Sequence, residues 1–106
     1  MNWTQTATRP WIVGHRGAKA LWPENTMVSF EKAIHLGVDG LETDVQMTAD
    51  GHLVLMHDEK VDRTTNGSGY VQQMTLAQLR ALDAGEGQPV PLLTELLDMV
   101  RGSDLM

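Results

Sequence analysis

Between Trp11 and Met56 the sequence runs strand, helix, strand, strand, and that order constrains the fold more than any other feature. Trp11-Ile12-Val13 is short, apolar and rich in β-formers, and Gly14 follows it, so it reads as a buried strand ending at His15. Arg16-Gly17-Ala18-Lys19 then begins a loop. Pro23 to Leu36 reads as a helix. Met27, Phe30, Ala33, Ile34 and Leu36 recur at helical spacing, Asn25 or Thr26 can cap the start, and Gly37 stops it. Leu41 to Met47 alternates without a break. As one strand it puts Leu41, Thr43, Val45 and Met47 on one face and Glu42, Asp44 and Gln46 on the other. Thr48-Ala49-Asp50-Gly51 is a turn, and Leu53 to Met56 is a strand that can pair back as a hairpin and deliver His57 and Asp58 at its end.

The second half is simpler. Asp62 to Tyr70 is a polar, glycine-containing loop, and Thr75 to Leu82 reads as a short helix with Thr75 and Gln78 spaced as a capping box. Gly85 to Pro91 is a linker. Leu92 to Val100 is an amphipathic helix ended by Gly102, and Leu105-Met106 can begin a further strand. With 106 residues the chain has room for one small domain at most. Its 42% hydrophobic and 21% charged residues are ordinary globular usage and argue against disorder.

Composition also narrows the chemistry. The chain has no cysteine, which excludes disulfides and thiolate metal sites, so any metal must be held by oxygen or imidazole. With 8 basic against 14 acidic residues, a formal charge of −6 and no basic block, nucleic acid is a poor partner. A phosphate substrate stays open, because a bound cation reverses the local field. The start, MNWTQTATRPW, lacks the basic and apolar regions of a signal peptide. No apolar run approaches the ~20 residues of a membrane span. The lack of cysteine suits the cytoplasm.

Five polar clusters lie in Ile12 to Asp58: Gly14-His15-Arg16-Gly17, Pro23-Glu24-Asn25-Thr26, Glu42-Thr43-Asp44, Asp50-Gly51 and His57-Asp58. Glu42 and Asp44 are two apart on an alternating run, so two hard oxygen donors can share a Mg²⁺ or Ca²⁺; the same spacing also suits a solvated polar face. His15 and His57 each follow an apolar strand, where an imidazole can move protons near neutral pH or simply bond within a turn. Arg16 offers a planar fork for phosphate oxygens, and Gly17 lets backbone approach a ligand. For Asn25, helix capping competes with ligand contact, and Glu24 beside it is equally at home at a helix start. Thr64-Thr65-Asn66-Gly67 is a turn near His57 that can wall a site. His35, near a helix end, and His52, after a turn, receive no catalytic role. Trp3, Trp11 and Trp22 read as packing residues, with Trp22 the one placed to line a substrate entrance.

Taken together, IVGHRGAKALWPENTMVSFEKAIHLGVDGLETDVQMTADGHLVLMHDEKVDRTTNGSGYV closely resembles the N-terminal part of the glycerophosphodiester phosphodiesterase family. LDAG (Leu82 to Gly85) and VPLLTELL (Val90 to Leu97) resemble it too, so the resemblance covers roughly residues 11 to 100.

The resemblance implies an α/β fold, a partial TIM (β/α)8 barrel of the first two to three βα units with a small hairpin and loop insertion, spanning 11–106 after a tail at 1–10. It implies metal-dependent hydrolysis of glycerophosphodiesters to glycerol 3-phosphate and an alcohol, with His15 and His57 as the acid–base pair, Arg16 on the phosphate, Glu42 and Asp44 on a divalent cation (Mg²⁺ or Ca²⁺), and Glu24 and Asn25 supporting them. A closed barrel needs about 250 residues. The family's third carboxylate ligand lies on the strand after the Val90 to Leu97 segment, where Leu105-Met106 stand. The expectation is therefore a fragment of a longer enzyme, or a chain that completes its core by self-association, with most catalytic side chains but no closed site. Two rivals remain: a phosphodiesterase acting on lysophospholipid or sphingomyelin-type substrates, and an inactive remnant serving as an assembly module.

Overall fold

The computed structural model describes residues 12–17 and 21–103. The expectations for the tail at 1–10, for Trp3 and Trp11, for Ala18 and Lys19, and for Leu105-Met106 lie outside the described residues. The elements are β1 (Val13–His15), α1 (Met27–His35), β2 (Gly40–Glu42), β3 (Val45–Met47), β4 (Leu53–Leu55), α2 (Leu76–Arg80) and α3 (Leu93–Arg101), with a 3-10 turn at Val71–Gln73 before α2. No helix among the described residues is long and apolar enough to cross a membrane.

β1, α1 and β2 form one strand–helix–strand unit. β1 pairs with β2 in parallel, with Val13 opposite Gly40, Gly14 opposite Leu41 and His15 opposite Glu42. A parallel pair needs a crossover of a dozen or more residues, and α1 lies within it. Thr26 caps α1: its backbone is extended and its hydroxyl accepts from the Ser29 N–H at 3.3 Å. The helix therefore begins at Met27 and not at Pro23. Asn25 is not the cap: its backbone is left-handed (φ 56°), whereas the cap position, Thr26, is extended. Gly37, at φ 83°, follows the last turn and supplies the reversal expected of it.

The unbroken strand expected over Leu41 to Met47 is a correction. It is two strands, β2 and β3, separated at Thr43-Asp44. β2 pairs with β1, while β3 turns to β4 in an antiparallel hairpin with Val45 opposite Leu55 and Met47 opposite Leu53. The chain changes partners at the break, where the Asp44 carbonyl accepts from the Met56 N–H at 3.0 Å and the Thr43 hydroxyl donates to Asn25 at 2.7 Å. An alternating sequence cannot register a change of partner. The hairpin itself, with its turn at Thr48 to Gly51, is as the sequence predicts.

Expected burial of the first strand is also corrected. Ile12 lies outside β1, its N–H donates to the Asp39 carboxylate at 2.7 Å, and Ile12 and Val13 are half-exposed while Gly14 is buried. Val45, Met47 and Leu53 on the hairpin are likewise exposed. Among the described residues each sheet has two strands, so these apolar side chains have nothing over them.

Two cores hold the unit together. Phe30, Leu55 and Leu96 join α1, β4 and α3, flanked by Met27, Leu41 and Leu93. Val54, Met56, Val61, Val71, Leu79 and Val90 fill a second core under the segment after the hairpin. α2 carries the expected capping box: the Gln78 N–H donates to the Thr75 hydroxyl at 3.2 Å and the Thr75 N–H to the Gln78 side chain at 2.9 Å. α3 starts where the Leu92 N–H donates to Glu95 at 2.8 Å, and Arg80 donates to both Glu95 (2.7 Å) and the Val90 carbonyl (2.9 Å), tying α2 to the linker and to α3.

Candidate active site

The parallel register of β1 and β2 fixes the first contact. With His15 opposite Glu42, the imidazole Nε2 comes 3.4 Å from Glu42 Oε1. Arg16 then turns out of the strand in the left-handed region (φ 54°), its N–H donating to the Glu42 carbonyl at 2.7 Å and its carbonyl accepting from the Asn25 N–H at 2.9 Å. Left-handed backbone is uncommon away from glycine, and such residues cluster where a site constrains the chain. Arg16 and Asn25 both adopt it and are hydrogen-bonded to each other. Gly17 completes the turn at φ 80°; a Cβ there would stand 2.6 Å from Ser29 Oγ and 2.8 Å from the Ser29 carbonyl carbon, so only glycine lets β1 approach α1 this closely.

The Arg16 side chain is mostly buried, with Nη1 3.2 Å from Glu24 and Nε 3.6 Å from Asp44 Oδ2. Glu42 and Asp44 thus both meet the His15-Arg16 pair, although the strand between them is broken. At the same open end of the hairpin, where Val45 faces Leu55, β4 leads to His57, whose Nδ1 lies 2.9 Å from Asp58 Oδ1. Gln46 holds that corner by donating to the His57 carbonyl at 3.1 Å and the Asp58 carbonyl at 2.8 Å.

Sequence reasoning missed Arg63. Its guanidinium donates to Asp58 (Nε to Oδ2, 2.8 Å; Nη2 to Oδ1, 3.0 Å) and to Glu24 (Nη1 to Oε1 and Nη2 to Oε2, both 2.9 Å). His57, Asp58, Arg63, Glu24, Arg16 and Asp44 therefore form one continuous polar chain. Hydrogen bonding from Arg63, with a further contribution from His57, holds the Asp58 carboxyl well below the usual carboxylate range. Glu24 is also lowered, chiefly by its hydrogen bonds from Arg63; burial opposes this and the Arg16 charge adds to it. Asp58 and Glu24 in turn raise Arg63, which stays charged.

Four buried side-chain atoms among the described residues have no hydrogen-bond partner: Arg16 Nε, Asn25 Nδ2, Glu42 Oε1 and Asp44 Oδ2. Burying such an atom unpaired costs about 1–3 kcal/mol, so native proteins keep few of them. Here all four fall on residues of this one site. Two are donors suited to an anion and two are carboxylate oxygens suited to a hard divalent cation, so the donor set fits a metal with a phosphoryl group. Among the described residues no group of three or more histidines and carboxylates could hold a metal by itself, so Glu42 and Asp44 stand as a pair.

Thr64 donates to Met56 Sδ at 3.2 Å and lines, with Glu24, Asn25 and Pro91, a cavity of about 10 Å³. His35 sits in the last turn of α1, and His52 lies 3.9 Å from Asp50 on the hairpin turn. Trp22 carries the Lys32 ammonium 5.4 Å from its ring centroid, a cation–π contact.

The sequence model described as the glycerophosphoryl diester phosphodiesterase family matches residues 15–106. The chain belongs to this family. A glycerophosphodiester phosphodiesterase of Caldanaerobacter subterraneus is 45% identical over 102 residues, covering 90% of this chain and 42% of the relative. One from Bacillus altitudinis is 47% identical over 96 residues, covering 84% of this chain and 39% of the relative. Among solved structures, a glycerophosphodiester phosphodiesterase from Agrobacterium tumefaciens superposes with a TM-score of 0.85 at 42% identity, covering 89% of this chain and 44% of that one. An Oleispira antarctica phosphodiesterase, solved with the product sn-glycerol-3-phosphate, superposes at 0.84 and 34% identity, covering 87% of this chain and 40% of that one. The chain spans about two fifths of the length of these family members. Its described strands form no closed barrel.

Proposed function

We propose that this chain is part of a TIM-barrel glycerophosphodiester phosphodiesterase and supplies its phosphate-binding arginine, its acid–base histidines and two of its cation ligands. The observation that carries this reading is the set of four buried, unpartnered atoms on Arg16, Asn25, Glu42 and Asp44. A site that leaves two donor and two acceptor atoms without hydrogen bonds suits an anion and a cation bound together.

In this reading Arg16 and Asn25 donate to the phosphoryl oxygens and hold the diester against the histidines. Glu42 and Asp44 would hold a divalent cation, which supplies positive charge to those oxygens and to the attacking hydroxyl. The substrate's free glycerol hydroxyl attacks phosphorus and gives its proton to one of His15 and His57. The other protonates the leaving alcohol as its P–O bond breaks, which leaves a cyclic phosphate. Water then opens the cyclic phosphate with the histidine roles reversed, giving glycerol 3-phosphate. Family membership and the relatives named as glycerophosphodiester phosphodiesterases support this substrate class.

The test is release of glycerol 3-phosphate from glycerophosphocholine, with and without Mg²⁺ or Ca²⁺, by the chain and its His15→Ala and His57→Ala variants. Cation-dependent release lost in both variants supports the reading. Release that survives both substitutions contradicts it.

A further inference from the structure

We infer that Arg63 is a positioning residue: its doubly forked contact with Asp58 and Glu24 sets which nitrogen of His57 carries the proton. Each edge of the guanidinium is committed. Nε and Nη2 fill both oxygens of Asp58 at 2.8 and 3.0 Å, and Nη1 and Nη2 fill both oxygens of Glu24 at 2.9 Å. Glu24 precedes α1 and Asp58 follows β4, so one side chain, on a residue 39 positions from Glu24, locks the two loops together. A planar fork can span two carboxylates in this way, whereas a lysine is a single point donor.

The consequence falls on His57. An ionised carboxylate only accepts hydrogen bonds, so the Asp58 Oδ1 contact at 2.9 Å requires the hydrogen to sit on His57 Nδ1. In the neutral imidazole Nε2 is then bare and free to take a proton. Arg63 enforces this by fixing the position and plane of the Asp58 carboxylate, which it grips at both oxygens. Gln46, bonded to the His57 and Asp58 carbonyls, holds the backbone so that the side-chain geometry decides the outcome. The same fork holds Glu24, which also pairs with Arg16 at 3.2 Å, so the proton carrier and the phosphate fork share one anchor.

The functional meaning of this tautomer rests on the reading of His57 as a proton carrier; the tautomer itself does not. The test therefore reads the imidazole and not turnover. Long-range ¹H–¹⁵N spectra of the ¹⁵N-histidine-labelled chain would be recorded at about pH 9, where imidazoles are neutral, for the parent, Arg63→Met and Arg63→Lys. The expected result is a single Nδ1–H form of His57 in the parent and the appearance of the Nε2–H form in both variants. Arg63→Lys keeps the stem and the charge, so it carries the test if Arg63→Met does not fold. A parent chain with His57 in the Nε2–H form, or an Arg63→Lys chain that keeps the parent's Nδ1–H form, would overturn the inference. A parent chain with the expected tautomer but no turnover in any condition would leave the inference standing and count against the hydrolase reading alone.

Discussion

Arg16 Nε lies 3.6 Å from Asp44 Oδ2, and neither buried atom makes a hydrogen bond. A structural ion pair would close that gap to hydrogen-bond distance, as Arg16 does with Glu24 at 3.2 Å. The two groups instead stand beside each other with bonding capacity to spare, one for an anion and one for a cation. Arg16→Lys keeps the positive charge and loses the planar Nε–H. We predict that it weakens binding of sn-glycerol 3-phosphate about tenfold, or about 1.4 kcal/mol, measured by titration calorimetry. Unchanged affinity would mean that charge alone is read at this position.

His15 and His57 are the proposed proton carriers. Alanine at either is expected to lower kcat for glycerophosphocholine by about 10²–10⁴-fold with little change in KM, because acid–base help is felt in the transition state more than in binding. His52→Ala, on the hairpin turn 3.9 Å from Asp50, serves as the control and leaves kcat within about twofold. A His52 effect as large as that of His57 would move the site.

Acid should unfasten the Arg63 clamp. Glu24 and Asp58 have folded-state values below their ordinary 4.5 and 3.8, so the folded chain binds fewer protons than the unfolded one at mildly acidic pH. Their contribution to stability is complete above those ordinary values and is lost as pH falls through the depressed ones. Thermal melts should show Tm falling from about pH 5 downward, and an Asp58→Asn variant should show a shallower fall. Parallel pH profiles for parent and variant would contradict this.

Phe30 is fully buried between β4 and α3. Phe30→Ala is expected to cost about 3–5 kcal/mol, a large share of the 5–15 kcal/mol that holds an ordinary domain together. Leu36→Ala, at a side chain 66% exposed just past the same helix, should stay within about 0.5 kcal/mol. Urea midpoints for the two variants give the comparison directly.

What the sequence made legible is local. The Thr75 and Gln78 box, the hairpin around Thr48 to Gly51 and the stop at Gly102 each rest on residues a few positions apart, and each is present. The Glu42-Thr43-Asp44 cluster was visible as an alternating run, but the strand break inside it was not, because the break arises from two different partners, β1 and β4. Arg63 was silent for the same reason. It sits in a polar loop, and its meaning comes from Glu24, which only the folded chain brings near. Asn25 was legible as a polar residue at a helix start; that Thr26 would take the cap and leave Asn25 Nδ2 buried without a hydrogen bond depends on a left-handed backbone no periodicity encodes.

The central claim is that one phosphoryl group and one cation share the site around Arg16, Asn25, Glu42 and Asp44. Calorimetric titration of the chain with sn-glycerol 3-phosphate, in the absence and presence of Mg²⁺ or Ca²⁺, tests it most directly, with Asp44→Asn beside it. We predict that the cation tightens glycerol 3-phosphate binding by about tenfold or more, that glycerol 3-phosphate tightens cation binding by the same factor, and that Asp44→Asn removes the coupling. Equal affinity with and without the cation, or coupling that survives Asp44→Asn, would contradict it.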